Sequence, residues 1–191
     1  MVCSFLYLSD DFGKTNRTSK INRGVQMMIP IILLGEARDR HLLDALRSLL
    51  GERCAWQTRE GIFWKEGAAV MLLDLPASSW VDAGGGLVVL KESFLLQHLP
   101  EHLLHARCIL PDQGGEALLR CGLPCIRCGD TGELRMSSTQ ENAVVCVQTP
   151  LARLDGSCIA QGEHLFALPS NLSAYEMLCC AAVLLLLGME K

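Results

Sequence analysis

The stretch IPIILLGEARDRHLLDALRSLLG, residues 29–51, carries the pattern that decides the fold. Ile29–Leu34 is a continuous apolar run of strand length. A short polar turn begins at Gly35, and residues 39–50 then place leucines at helical spacing on one face. A strand, a glycine turn and a helix in this order are the layout of a phosphate-binding loop. The stretch therefore predicts an α/β fold and raises the question of whether a nucleotide binds there.

The turn lacks the side chains that a nucleotide needs. A phosphate loop uses a lysine to neutralise phosphate and a hydroxyl to hold Mg²⁺, but Asp39 and Arg40 occupy those places. The carboxylates of Glu36 and Asp39 would also repel a triphosphate. We therefore predict no cofactor and no catalytic residue. As an alternative, the beginning of the helix could bind a small anion or a nucleotide sugar with Gly35, Arg38 and Arg40.

Further apolar runs of strand length follow along the chain. They are AVMLLDL (69–75), GLVVLK (86–91), ARCILPD (106–112) and PCIRCG (124–129). Continuous runs are typical of parallel strands that are covered on both faces. Between them we predict a hairpin over residues 54–64 that turns at Glu60-Gly61, a helix over 93–105 interrupted at Pro100, and a short helix over 114–122. The chain thus predicts a mostly parallel sheet flanked by helices.

The pattern changes in the last third of the sequence. Residues 133–139, 142–149 and 162–169 are short strand-like segments between turn residues, which predicts antiparallel hairpins. A closing apolar helix follows, with Ser173 and Glu176 spaced as a capping box and Gly188 placed to end the helix. Its apolar run is far shorter than the roughly 20 residues that a membrane span needs, so we predict a buried helix.

The N-terminal residues differ from the rest. Residues 1–27 are polar, mixed in charge and without period, so we expect a disordered or mis-called leader before a single α/β domain at 28–191. The leader contains Gly13-Lys14-Thr15, but Leu8 stands where a phosphate loop would need its first glycine.

Composition narrows the class of protein. The net charge of -4 gives no basic field, so we predict no nucleic-acid partner. The ten cysteines lie largely in apolar segments and no export signal precedes them, which indicates a reduced, cytoplasmic protein.

Three of these cysteines are close in sequence: Cys121, Cys125 and Cys128. A structural zinc site usually takes four ligands, often as two close pairs, and the sequence offers one such pair within a predicted strand. Period two places Cys125 and Cys128 on opposite faces of that strand, so we predict packed thiols and no metal site. Zinc or thiol chemistry at these three cysteines is kept as a weaker alternative.

In their order along the chain and in their apolar patterns, these segments together resemble the central ATP-binding domain of the Mur ligases, which join amino acids to peptidoglycan precursors. The resemblance rests on residues 29–51, the apolar runs and the closing hairpins and helix, and it implies the fold. The sequence departs from the family at the residues that would bind ATP and Mg²⁺. Arg38, Asp39 and Arg40 replace the family's Gly-Lys-Thr, Asp74 is only a loose counterpart of the Mg²⁺-binding carboxylate, and KESFLLQH (91–98) replaces an Asp-His pair.

The resemblance therefore implies a scaffold without ligase activity, since the domains for the UDP-sugar and the incoming amino acid also have no counterpart in the sequence. We predict a non-catalytic domain that acts through protein contacts. The expected partner is a second copy of the chain or a protein of the bacterial cell envelope or of sporulation.

Overall fold

The computed structural model describes residues 28–76, 78–95, 99–113, 122–138 and 143–190. The predicted leader, the body of the helix predicted over 114–122, and Cys121 lie outside these ranges. The described strands are β1 (Ile29–Leu34), β2 (Cys54–Thr58), β3 (Gly61–Phe63), β4 (Val70–Leu75), β5 (Trp80–Asp82), β6 (Leu87–Leu90), β7 (His102–Leu104), β8 (Arg107–Pro111), β9 (Cys125–Cys128), β10 (Leu134–Ser138), β11 (Ala143–Val147), β12 (Leu151–Ala152), β13 (Cys158–Ile159) and β14 (Gly162–Phe166). The described helices are α1 (His41–Leu50) and α2 (Ala174–Leu186), and a 3-10 turn, Gly51–Arg53, follows α1.

Ten of the described strands form one sheet, in the order β14-β11-β10-β9-β8-β6-β1-β4-β2-β3. The strands from β10 to β2 run parallel, β3 is antiparallel to β2 at one edge, and β11 is antiparallel to both β10 and β14 near the other. The predicted mostly parallel sheet with an antiparallel C-terminal region is confirmed. β1 lies between β4 and β6, so the loop after β1 lies near the middle of the carboxyl edge of the parallel strands.

The two faces of the sheet have separate cores because successive side chains of a strand alternate between faces. Ile31 and Leu33 of β1 pack in the core that contains α1 and α2, whereas Ile32 and Leu34 pack in the core beneath β5 and β7. This double burial explains why β1 reads as a continuous apolar run. None of the described helices is long and apolar enough to cross a membrane.

The helix predicted over 93–105 is wrong in its described part. His102–Leu104 is strand β7, which pairs parallel with β5, and residues 92–95 and 99–101 are not helical. Pro100 disfavours a continuing helix, and the alternation of exposed His102, buried Leu103 and exposed Leu104 fits a half-covered strand. The hairpin prediction is confirmed for β2 and β3, but its turn lies at Arg59-Glu60, one residue earlier than predicted.

The predicted ends of α2 are confirmed. The Ser173 side chain accepts a hydrogen bond from the Glu176 N–H, and the Glu176 carboxylate accepts one from the Ser173 N–H. At the other end, Gly188 and Met189 donate to the carbonyls of Leu185 and Leu184, and Gly188 has a φ of 65°, which is a Schellman ending. The Ser173 hydroxyl also donates to Glu92 at 2.7 Å, so the beginning of α2 contacts the segment that follows β6.

The turn before β6 packs directly on β1. Gly84 and Gly85 have positive φ values, and a Cβ on Gly86 would overlap the Pro30 carbonyl oxygen and approach its ring. Glycine at this place therefore lets the backbone of the turn approach that of β1.

Candidate functional site

The turn at residues 35–40 connects β1 to α1 at the carboxyl edge of the parallel strands. Ligands of parallel α/β sheets bind at this edge, and the candidate residues of the sequence analysis lie there. Gly35 is buried and Arg38 is exposed. Arg40 immediately precedes α1 and provides no side-chain hydrogen bond to its first turn.

The space inside this turn is occupied by Lys91, which directly follows β6. Its ammonium donates to the backbone oxygens of Asp39 at 2.6 Å and Glu36 at 3.1 Å. It also lies 2.7 Å from Oδ1 of Asp74, in an ion pair whose two side chains are almost completely buried. The turn thus presents carbonyl oxygens to a cation, whereas a phosphate loop presents N–H groups to an anion.

Ser93 uses the polar groups on the other side of the same turn. Its hydroxyl accepts a hydrogen bond from the Glu36 N–H at 3.0 Å and donates to Asp39 Oδ2 at 2.6 Å. The Asp39 N–H in turn donates to the Glu36 carbonyl at 3.2 Å. Two of the N–H groups that could bind an anion are therefore already used within the chain.

Gly35 allows this arrangement. A Cβ at Gly35 would lie 2.7 Å from Cβ of Lys91 and 2.9 Å from the Ser93 hydroxyl. Any larger residue would displace these side chains, so the glycine that resembles part of a phosphate loop serves the close approach of Lys91.

The two predicted arginines have different surroundings. Arg40 forms an ion pair with Glu60 in the β2–β3 turn, and its guanidinium lowers the pKa of the Glu60 carboxyl by hydrogen bonding. The same hydrogen bond raises the pKa of Arg40, and the more distant Asp74 contributes a small further increase. Among the described residues, Arg38 forms no ion pair. The structure therefore ties one candidate arginine to the hairpin and leaves the other exposed.

Sequence reasoning missed Lys91, which ends the apolar run GLVVLK. The available signal was a lysine at the carboxyl end of one buried strand and an aspartate, Asp74, near the end of another. Buried lysine and aspartate are rare unless they are paired. If the strands that carry Lys91 and Asp74 lie on either side of the same strand, as β6 and β4 do around β1, an ion pair between the two residues is expected.

A cavity of about 750 Å³ opens beside Lys91. It lies at the carboxyl ends of β6, β8 and β9 and beside the first turn of α2. Its described apolar lining consists of Leu90, Phe94, Leu95, Pro111, Cys128, Met136, Ala174 and Leu178. Its described polar lining, apart from Lys91, consists of Glu92, Asp112, Gln113, Asp130 and Tyr175. The volume falls in the range of small-molecule sites.

Two of these polar groups are fixed in place. Asp112 Oδ2 accepts hydrogen bonds from the Thr131 N–H at 2.9 Å and from its hydroxyl at 3.1 Å. Its carboxylate rests directly above Gly129, where a Cβ would overlap it. The Tyr175 hydroxyl donates to the Leu90 carbonyl at 2.6 Å, and burial raises the pKa of this phenol far above its usual value.

The period of two predicted for residues 125–128 is seen in β9. Cys125 packs with the core beneath β5 and β7 and Cys128 with the core of α1 and α2, so they lie on opposite faces. A hydrogen bond with Cys108 lowers the pKa of Cys125. The pKa of Cys128 is raised by a hydrogen bond with Cys179 and, to a smaller extent, by burial. The described residues bring together no three His, Cys, Asp or Glu side chains that could hold a metal ion.

Comparison of the chain with known proteins supports the fold and nothing beyond it. No protein-family model and no curated protein matches the chain. Two crystal structures of MurF from Acinetobacter baumannii are 13% identical, with a TM-score of 0.50 each, and the match covers 85% and 87% of this chain. The structure of the UDP-N-acetylmuramoylalanyl-D-glutamyl-2,6-diaminopimelate–D-alanyl-D-alanyl ligase of the same organism matches 87% of the chain with a TM-score of 0.53 and 13% identity.

The chain spans less than half of these proteins, since the matches cover 43% to 44% of their length. At 13% identity the likeness concerns the path of the backbone and not the side chains. The chain has a fold similar to that of the Mur ligases, and this similarity extends to the fold alone.

Proposed function

We propose that residues 28–191 form one non-catalytic, Mur-ligase-like domain that binds no nucleotide at the Gly35 turn and acts through protein contacts. The observation that supports it most is the buried Lys91 ammonium, which lies where the turn would otherwise enclose a phosphate. We also propose a cytoplasmic location, since most of the described cysteines are buried in the two cores, where a thiol packs as a small apolar group.

Admitting a triphosphate would require the Lys91–Asp74 pair to open. Lys91 would have to give up two backbone carbonyls, and Asp74 would lose its cation in a site where only 5% of its side chain is exposed. An unpaired buried charge costs several kcal/mol, by order of magnitude. Two N–H groups of the turn are already used, since that of Glu36 donates to the Ser93 hydroxyl and that of Asp39 to the Glu36 carbonyl.

The exposed apolar residues next to an open sheet edge favour a role in protein contacts. Among the described residues, β3 is the last strand on its side of the sheet. Ile62, Phe63 and Trp64 have exposed fractions of 63%, 49% and 69%. Large apolar side chains beside unpaired backbone groups are typical of a surface that another chain covers. The proposed occupant is a second copy of this chain or a protein of the bacterial cell envelope or of sporulation.

A ligand screen tests the absence of nucleotide binding. Residues 28–191 and the full chain are heated with ATP, ADP, UDP-sugars or phosphate, each with and without Mg²⁺. A ligand at 100 times its Kd adds about 2.7 kcal/mol to the stability of the folded state, whereas we expect no shift with ATP. A Mg²⁺-dependent increase in the melting temperature with ATP would contradict the proposal.

The same screen tests the second candidate function, in which Arg38 and Arg40 bind a small anion or a nucleotide sugar. The exposed Arg38 and the absence of a side-chain cap on α1 favour it. If phosphate or a UDP-sugar stabilises the protein and the Arg38→Ala/Arg40→Ala variant loses this effect, the anion site is supported. No stabilisation of the wild-type protein would exclude it.

Self-association tests the contact surface. Sedimentation of the full chain at increasing concentration is compared for the wild type, Trp64→Ser and Trp80→Ser. Trp80 is a matched control because it is also exposed, at 59%, but lies on β5 outside the ten-stranded sheet. We expect association that Trp64→Ser abolishes and Trp80→Ser retains. A wild type that stays monomeric would exclude a second copy as the occupant.

A further inference from the structure

We propose that the cavity beside Lys91 binds a small molecule with an apolar body and a cationic amine. The inference is independent of the proposed function, because it concerns the carboxyl ends of β6, β8 and β9 and not the Gly35 turn or the β3 edge.

The apolar part of the lining sets the shape of the ligand. Phe94, Met136 and Leu178 contribute to the walls, and the volume of about 750 Å³ admits an aromatic ring with an aliphatic chain. Burial of such a body is favourable in proportion to the apolar area removed from water. The lining thus selects for a ligand that is largely apolar.

The charges of the lining set the polar end of the ligand. Three carboxylates line the cavity, those of Glu92, Asp112 and Asp130. The one described cation in the lining is Lys91, whose ammonium is directed to Asp74 and to the carbonyls of the Gly35 turn and is completely buried. The described lining therefore attracts cations and repels phosphates and carboxylates.

Asp112 is the carboxylate best prepared to bind an amine. Both hydrogen bonds from Thr131 go to Oδ2, so Oδ1 has room to accept a hydrogen bond from a ligand. The position above Gly129 fixes the carboxylate without a ligand. A preorganised acceptor loses little side-chain entropy on binding, and an ammonium gives a charge-assisted hydrogen bond.

A matched set of three probes tests the charge preference. The full chain is titrated with 4-phenylbutylamine, 4-phenylbutanol and 4-phenylbutyrate, and amide NMR signals are followed. These share one apolar body and differ in charge. We expect the amine to bind saturably and about tenfold tighter than the alcohol, as a charge-assisted hydrogen bond provides, with shifts at Gly129 and Tyr175. The carboxylate is expected to bind more weakly than the alcohol.

Two variants and a control locate the site. Asp112→Asn should reduce the affinity for the amine about tenfold and leave that for the alcohol unchanged. Glu66→Gln removes an equal charge at an exposed residue outside the cavity lining and should change neither. Ala174→Trp adds bulk at an exposed position of the lining and should abolish binding of both.

Several results would overturn the proposal. They are the absence of saturable binding by the amine, equal or tighter binding of the carboxylate, and unchanged amine affinity in both Asp112→Asn and Ala174→Trp. None of these results bears on ATP binding at the Gly35 turn or on self-association, so failure of this proposal is distinguishable from failure of the proposed function.

Discussion

Lys91→Met is expected to lower the free energy of unfolding by about 3–5 kcal/mol, because it leaves the buried Asp74 carboxylate without its cation. The variant also frees the carbonyls of Glu36 and Asp39, which the ammonium now satisfies. Denaturation by urea at neutral pH, compared with the wild type at the same protein concentration, gives the difference. The expected loss is a large share of the stability of an ordinary domain, and it measures the cost of leaving Asp74 unpaired.

The double variant Lys91→Met/Asp74→Leu separates the pair from the packing around it. Since apolar replacement of both partners of a buried pair is often neutral or stabilising, we expect the double variant to recover most of the loss. The matched control is Lys65→Met, which breaks an ion pair with the exposed Glu52 and should cost less than about 1 kcal/mol. A loss below about 1 kcal/mol for Lys91→Met would show that water reaches Asp74 and that the turn is open.

Gly86→Ala is expected to cost about 3 kcal/mol through steric overlap. The added Cβ would meet the Pro30 carbonyl oxygen and approach the Pro30 ring and the Ala83 carbonyl. Because two of these atoms belong to the backbone, the strain cannot be relieved by a change of rotamer. Urea denaturation of the variant measures the loss.

Gly61→Ala is the matched control for this substitution. Gly61 also lies outside the positive-φ region, and a Cβ there would meet no atom within 4 Å. We expect its stability to stay within about 0.5 kcal/mol of the wild type. Equal losses for the two variants would mean that β1 and the turn before β6 can separate at little cost.

The parts of the fold that follow from local pattern were predictable. β1 and β6 are buried on both faces and read as continuous apolar runs, and Ser173 and Glu176 mark the beginning of α2 by their spacing alone. β7 was mistaken for a helix because a strand of only three residues shows too little of its period. Its pairing with β5, some twenty residues earlier in the chain, has no local signature.

The location of the candidate site was predictable from the sequence, but the residue that fills it was not. The turn at Gly35 lies where the pattern put it, but its occupant comes from Lys91, 52 and 55 residues away from the carbonyls that it binds. Burial of a lysine depends on several acceptors that meet only in the folded chain. Sequence spacing gives the backbone path, whereas this contact depends on the Gly35 turn, strand β4 and the residue after β6, which meet only in the folded chain.

The occupant of the turn has a consequence for how the protein responds to its surroundings. A loop that is ordered by a bound nucleotide gains stability according to the ratio of nucleotide concentration to Kd, so its order rises and falls with supply. Lys91 is covalently part of the chain, and its effective concentration at the turn is therefore fixed. The stabilisation that it gives is the same in a starved cell as in a growing one.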